Sequence, residues 1–313
     1  MRGRFAPSPT GEIHLGNVWT ALLAWLQVRS AGGTMVLRIE DLDPDRSRTA
    51  YTDKLMADMK WLGLDWDEGP DVGGRYGPYS QNERRDLYQV ALDRLATAGL
   101  VYPCYCTRAE LAASAPHAGD QERLYPGTCR HSPVPAERRS ARRPALRLAV
   151  PEGEIAFTDL HAGYVCQELA REVGDFVVRR SDGVHAYQLA VVIDDAAMEI
   201  THVLRGYDLL GSTPRQLLLY RLLGCQAPVF THVPLLVDAE GYRLSKRQQA
   251  LSVAALKAHG ITPETIIGYL AWKANLIDIF QPVKAAELTG CFDIAKLPGE
   301  AVIVDSYELC GYD

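Results

Sequence analysis

The chain has 313 residues, 47% of them hydrophobic and 23% charged, which leaves room for one large domain or two ordinary ones around a sizeable core. A net charge of −6 argues against an indiscriminate nucleic-acid binder, while a local basic face stays open. The longest apolar runs, such as 217–223 with Arg221 inside it, fall far short of the ~20 residues that span a bilayer, and the first residues carry no signal-peptide core, so a cytoplasmic protein without a membrane partner is expected.

In chain order, residues 5–7 read as a short strand that leads through a glycine turn into a helix over 14–30. Leu15, Val18, Leu22 and Leu26 keep near-helical spacing there. Gly32 and Gly33 end the helix, and TMVLRIE (34–40) is the next strand, apolar except for Arg38 and its acidic end. Helices follow over 49–62 and 82–98, and this strand–helix–strand start predicts a parallel α/β sheet. Residues 101–145 break the pattern, being rich in Cys, Pro, Arg and Gly, and read as an insertion. Strand signals return at 186–193, 199–204 and 229–236, with a helix over 214–223 that Thr213 can cap and Pro214 can start. The tail over 252–272 reads as helical, and the last 40 residues carry no clear pattern.

The stretch RFAPSPTGEIHLGN (4–17) carries the first chemistry. His14 stands at a helix N-terminus with Gly11 and Gly16 beside it, and backbone N–H groups with the helix dipole make an anion site there. The imidazole can donate to a phosphate whose charge grows in a transition state. Far downstream, GYRLSKRQQA (241–250) sets Ser245 and Lys246 between Arg243 and Arg247, three cations around one hydroxyl. Paired with His14, Lys246 reads as the other half of an ATP clamp.

Together these elements resemble the two signature motifs of class I aminoacyl-tRNA synthetases. RFAPSPTGEIHLGN, LRIEDLDPDRS (37–47), DGVHAYQLAVVIDDAAMEITHVLRGYDLLGSTPRQ (182–216) and RLSKR (243–247) all resemble glutamyl-tRNA synthetases, in order. Two departures stand out: Asn17 occupies the place of a second histidine, and Arg243 and Arg247 replace the usual lysine and serine. The resemblance implies an α/β fold: a Rossmann-like parallel-sheet catalytic domain in two halves (1–100 and 181–250), an inserted zinc-knuckle or acceptor-type subdomain (101–180) and a short helical C-terminal region (251–313). It also implies ATP binding by His14, Gly16, Asn17, Ser245 and Lys246, with His14 and Lys246 catalytic and Mg²⁺ arriving with ATP.

Glutamate presents one ammonium and two carboxylates, so its pocket needs fixed cations and a fixed anion. An arginine fork reads a carboxylate at two points, which a glutamine amide cannot reproduce. Glu40, at the carboxyl end of a strand, is placed to meet the ammonium. By resemblance, the glutamate-contacting positions are Arg4, Phe5, Ala6, Pro7, Ser8, Glu40, Tyr187 and Arg205. Which arginine holds which carboxylate is open.

Seven cysteines, four of them isolated, argue for a reducing compartment. Cys104, Cys106 and Cys129 are grouped in the insertion like a small zinc knuckle. His117 and His131 are ordinary candidates for a fourth ligand. The glutamyl-queuosine branch of the family has Cys-x-Cys followed by Tyr-x₃-Cys, which maps onto Cys104, Cys106, Tyr125 and Cys129 and implies one structural Zn²⁺.

Only 66 residues follow Arg247, too few for the helical portion with which full-length enzymes read an anticodon. That pattern resembles the same branch, and so does Tyr207, where full-length enzymes usually carry an acidic residue. The branch activates glutamate without tRNA and transfers it to the queuosine base in the anticodon of tRNA-Asp. The five arginines of AERRSARRPALR (136–147) could meet tRNA phosphates. The competing readings are a short glutamyl-tRNA synthetase that charges tRNA-Glu and a non-catalytic RNA-binding paralogue.

Overall fold

The computed structural model describes all residues except 44, 46, 108–109, 112–123, 133, 245–250, 306–307 and 310–313. The elements that place the site run in chain order β1 (Arg2–Phe5), α1 (Leu15–Ser30), β2 (Thr34–Leu37), α2 (Thr49–Trp61), α3 (Arg85–Thr97) and β3 (Val101–Cys104). Next come β4 (Ala145–Leu148), β5 (Ile155–Asp159), β6 (Gly163–Gln167), β7 (Val177–Arg179), α4 (Tyr187–Ala197), β8 (His202–Gly206), α5 (Thr213–Leu223) and β9 (Val229–Val233). The chain continues through β10 (Leu236–Val237), α6 (Val253–Ala258), α7 (Pro263–Lys273) and β11 (Val302–Ile303).

Four parallel strands in the order β2-β1-β8-β9 form the central sheet, the α/β core expected from the first elements. Side chains alternate across a strand, and here the alternation divides two cores. Met35, Leu37, Leu204 and Val233 pack with α1, α6 and α7 on one face. Val36, Val203 and Phe230 pack with α3, α4 and α5 on the other. Helix α1 is buried nearly all round, from Leu15 to Val28, because the sheet covers one side and the C-terminal helices the other. Between the halves, β3, β4 and β7 form an antiparallel sheet, and β5 and β6 form a hairpin.

Several expectations are corrected. Residues 186–193 are not a strand: they start α4, which runs from Tyr187 to Ala197. The run is apolar and β-branched but buried on most sides, and periodicity alone cannot separate a buried helix from a buried strand. Thr213 does not cap α5; Ser212 precedes the helix, and the Thr213 hydroxyl accepts from Arg205 Nη2 at 2.7 Å instead. After 251 the structure has the helices α6 and α7, in keeping with the helical reading of 252–272. Among the described residues beyond Lys273, two 3₁₀ turns and β11, which pairs in parallel with β10, interrupt the helical region expected over 251–313.

Burial of charge ties α4 to the sheet. Asp194 has no solvent exposure and accepts from Gln81 Nε2 (2.7 Å), Arg84 Nε (2.6 Å) and the Tyr88 hydroxyl (2.9 Å), with Arg38 Nε at 3.6 Å. Removing one partner of a buried pair strands the other charge. Asp194→Ala should therefore destabilise the fold by about 3–5 kcal/mol, read from urea unfolding.

Candidate active site

A cavity of about 510 Å³ opens at the carboxyl ends of β1 and β8. In this sheet β1 connects outward to β2 on one side and β8 to β9 on the other, and open α/β sheets bind ligands at such a reversal. Arg4, Phe5, Ala6, Pro7, Ser8, His14, Gly16, Asn17, Glu40, Tyr187 and Arg205 all line this one cavity. Of the expected site residues in the catalytic half, only Ser245 and Lys246 lie outside the described residues. Their flanks do reach the site: Leu244 lines the cavity and bonds back to Leu236, and Val253 N donates to Ile13 O at 3.0 Å.

At one end of the cavity, His14 is the N-cap of α1. Its Nδ1 accepts from Gly16 N at 3.1 Å, and its backbone N–H donates to Asn17 Oδ1 at 3.2 Å. A neutral ring that accepts at Nδ1 carries its proton on Nε2, the nitrogen suited to donate to an anion. Asn17 thus spends its oxygen on the cap. A Cβ on Gly16 would meet His14 Cε1 at 3.0 Å, so Gly16 makes room for the imidazole itself. Asp208 pairs across the rim with Arg243 Nη1 at 2.6 Å.

At the other end, charges are buried together. Arg38 Nη1 donates to Asp195 Oδ1 at 2.6 Å and Nη2 to Glu40 Oε1 at 3.1 Å, while Arg4 Nε reaches the same Asp195 oxygen at 3.3 Å. Burial opposes the Arg38 charge, but Asp195, Asp194 and Glu40 outweigh it and hold the guanidinium well above its ordinary value. Burial likewise opposes charge on Asp195, which Arg38 and Arg4 overcome, so it sits low. Glu40 is the least compensated carboxylate: burial pushes it up in spite of Arg38 and Arg4, so it gains most from an incoming cation. Burial also pushes up the Tyr187 phenol, which stays a neutral donor on the first turn of α4.

Sequence reading missed Asp195, Asp194, His232 and Asp159. The adjacent acids inside the apolar run AVVIDDAAM were the one available signal, since surface acids have no reason to sit there. His232 and Asp159 carried none.

Residues 1–297 match the family described as tRNA synthetases class I (E and Q), catalytic domain. The chain belongs to this family. This synthetase is 56% identical over 308 residues to the glutamyl-Q tRNA(Asp) synthetase of Symbiobacterium thermophilum, covering 96% of this chain and 94% of that one. It is 45% identical over 276 residues to a glutamate–tRNA ligase of Sulfurihydrogenibium sp., covering 86% of this chain but 57% of the relative. Among solved structures, the glutamate-tRNA synthetase of Elizabethkingia anophelis matches with a TM-score of 0.85 at 30% identity, over 99% of this chain and 69% of that one. The chain is thus a class I aminoacyl-tRNA synthetase-like ligase, similar over nearly its whole length to glutamyl-Q tRNA(Asp) synthetases. No helix among its described residues is long and apolar enough to cross a membrane.

Between β3 and β4 of the synthetase, starting at the last residue of β3, the Sγ atoms of Cys104, Cys106 and Cys129 lie within 4.8 Å of one another. The Tyr125 hydroxyl joins them, 3.5 Å from Cys104 Sγ and 3.8 Å from Cys106 Sγ, and accepts from Cys129 N at 2.8 Å. His131 is not among the grouped ligand atoms, and His117 lies outside the described residues. Burial and the neighbouring thiols push Cys106 up to about 12, a protonated state that a bound cation would reverse. Arg147, one of the five arginines considered for tRNA, is not available: it is buried over the Tyr125 ring and donates to Asp175 O at 2.6 Å. Arg139, Arg142 and Arg143 remain exposed.

Two buried groups shape the acid limb of stability. Burial holds His232 below its ordinary value of 6.5, so as the pH falls through that range the unfolded chain takes a proton the folded chain refuses. Burial opposes charge on Asp159, but hydrogen bonds from the His232 ring and from the backbone of Ala162, His232 and His161 hold it down to about 2. Its contribution is present above the ordinary 3.8 and is lost as the pH falls through about 2. Asp159→Asn should therefore flatten the fall of the urea midpoint between pH 4 and pH 2.

Proposed function

We propose that this synthetase activates glutamate with ATP, without tRNA, and passes it to the queuosine base in the anticodon of tRNA-Asp. The observation that carries the first step is the single cavity with a helix N-terminus at one end and two buried arginines, one underpaid carboxylate and a tyrosine at the other. Glutamate lies with a carboxylate against Arg4 or Arg205 and its ammonium toward Glu40. Its α-carboxylate oxygen bonds to the α-phosphorus of ATP as the bond to the β-phosphate oxygen breaks, giving glutamyl-adenylate and pyrophosphate. Mg²⁺ bound to the triphosphate supplies charge neutralisation. His14 donates to phosphate from the N-terminus of α1, and Lys246 neutralises it from the opposite side. A hydroxyl of the queuosine ring then attacks the acyl carbon and AMP leaves.

The second step rests on the near-full-length likeness to glutamyl-Q tRNA(Asp) synthetases. Exposed Arg139, Arg142 and Arg143 offer contacts for tRNA phosphates. Likeness to glutamate–tRNA ligases favours the second reading, charging of tRNA-Glu.

Glutamate-dependent ATP–pyrophosphate exchange should proceed without tRNA, and His14→Ala or Lys246→Ala should lower it on the order of 100- to 1,000-fold. Near-full exchange in both variants would refute the clamp. Labelled glutamate should reach tRNA-Asp only when queuosine is present and uncleaved by periodate, which destroys vicinal diols. Transfer that ignores queuosine or prefers tRNA-Glu favours the second reading.

For the cysteine cluster the proposed ion is zinc, held by Cys104, Cys106, Cys129 and the Tyr125 phenolate. Tetrahedral zinc with bonds of about 2.3 Å sets neighbouring sulfurs about 3.8 Å apart, and Cys106 and Cys129 Sγ are 3.6 Å apart. Protein purified without added metal should contain one zinc per chain. Tyr125→Phe should weaken retention against a chelator, and His131→Ala should leave it unchanged; the reverse pattern would move the fourth ligand to histidine.

A further inference from the structure

His232 is wholly buried and Asp159 nearly so, neither lines the cavity, and the reaction above uses neither. Both act on Arg205. Asp159, at the end of β5, accepts at Oδ1 from the backbone N–H groups of His161 (3.0 Å), Ala162 (2.8 Å) and His232 (3.0 Å). Its Oδ2 faces His232 Nδ1 at 2.6 Å, so Nδ1 carries the ring proton. A neutral imidazole protonated there has its lone pair on Nε2, and Arg205 Nε donates to that atom at 2.9 Å. Arg205 Nη2 donates to Thr213 Oγ1 at 2.7 Å. Only Nη1, buried, has no hydrogen-bond partner among the described residues.

We propose that Asp159 and His232 are positioning residues: they lock the Arg205 guanidinium with Nη1 presented to the glutamate carboxylate, and so set selectivity for glutamate over glutamine. This rests on the reading that Arg205 receives that carboxylate. A carboxylate offers an acceptor oxygen in either orientation, whereas an amide in one orientation turns its own N–H₂ against the guanidinium. A locked, buried arginine must meet the ligand at Nη1, where a carboxylate neutralises its charge and a neutral amide does not. The hairpin of β5 and β6 thereby reaches out of the inserted segment and sets a property of the catalytic cavity.

Asp159→Asn tests the relay with little change of shape. Asn Oδ1 keeps the three backbone hydrogen bonds, but its amide donates to His232 Nδ1, moves the ring proton to Nε2 and sets it against Arg205 Nε–H. In tRNA-free exchange the KM for glutamate should rise about 10- to 100-fold, as when a supporting partner is lost elsewhere. Discrimination against glutamine should fall by a similar factor, while kcat and KM for ATP stay close to wild type; Tm falls because the Asp159 charge is lost, and so does not test the relay. His232→Gln, whose amide oxygen can still accept from Arg205 Nε, should keep more glutamate affinity than His232→Asn. The comparison of those two variants decides if Asp159→Asn does not fold. Unchanged glutamate KM and selectivity in Asp159→Asn, or equal losses in the two His232 variants, overturns the relay. So does a parallel rise of the KM values for glutamate and ATP, which marks a merely structural role. Arg205→Lys is the control: if it leaves glutamate KM unchanged, the assignment of Arg205 to the carboxylate has failed, and not the relay alone.

Discussion

A guanidinium with no exposure to water must be balanced at the same depth, and Arg38 imposes that demand on this fold. It sits just past β2 and meets Asp195, Asp194 and Glu40, which come from α4 and from its own strand end. Asp194 in turn recruits Gln81 and Arg84 from the 3₁₀ turn before α3 and Tyr88 from the first turn of α3. The helix α4 therefore cannot slide or rotate against the sheet without leaving a charge unpaired. Because α4 also begins with Tyr187, and Asp195 also holds Arg4, the same pairing that stabilises the core sets the walls of the cavity.

Within that frame the charges are not equally satisfied. Arg38 has three carboxylates, while Glu40 has one N–H of Arg38 and a buried location that lifts its proton affinity. Arg205 has two nitrogens anchored and one unpaired. An underpaid anion and an underpaid cation in one cavity are what an amino acid with its own ammonium and carboxylates can complete. Stability and binding draw on one network, with the deficit left where a substrate would sit.

The opening stretch was legible as a strand, a glycine turn and a helix start, although the strand lies at Arg2–Phe5 and not at 5–7. His14 does stand at the N-cap, and a Cβ on Gly16 would crowd its imidazole. The parallel sheet was legible too, from short apolar strands separated by helices. The helix at Tyr187–Ala197 was not, because an apolar run buried on most sides does not show by periodicity alone whether it is helix or strand. Arg147 looked like one more surface cation and is instead stacked over Tyr125. Whether an arginine faces water depends on a partner, here the 175 carbonyl, that nothing near it in the chain announces.

The residues that meet in the cavity were named through a family resemblance; by itself the sequence determined the α/β class, the place of His14 at the start of α1, and the group of Cys104, Cys106 and Cys129. These follow from local chemistry: turn residues, helix caps, apolar periods and short spacings. Only the tertiary structure decided which carboxylate neutralises which arginine, which protonation state His232 holds, and that a hairpin some 50 residues upstream of Arg205 reaches the arginine through that histidine. Long-range pairing of buried charge depends on where separate elements come to rest. That is settled by the packing of α4, β5 and β9 against one another, and no neighbour in sequence records it.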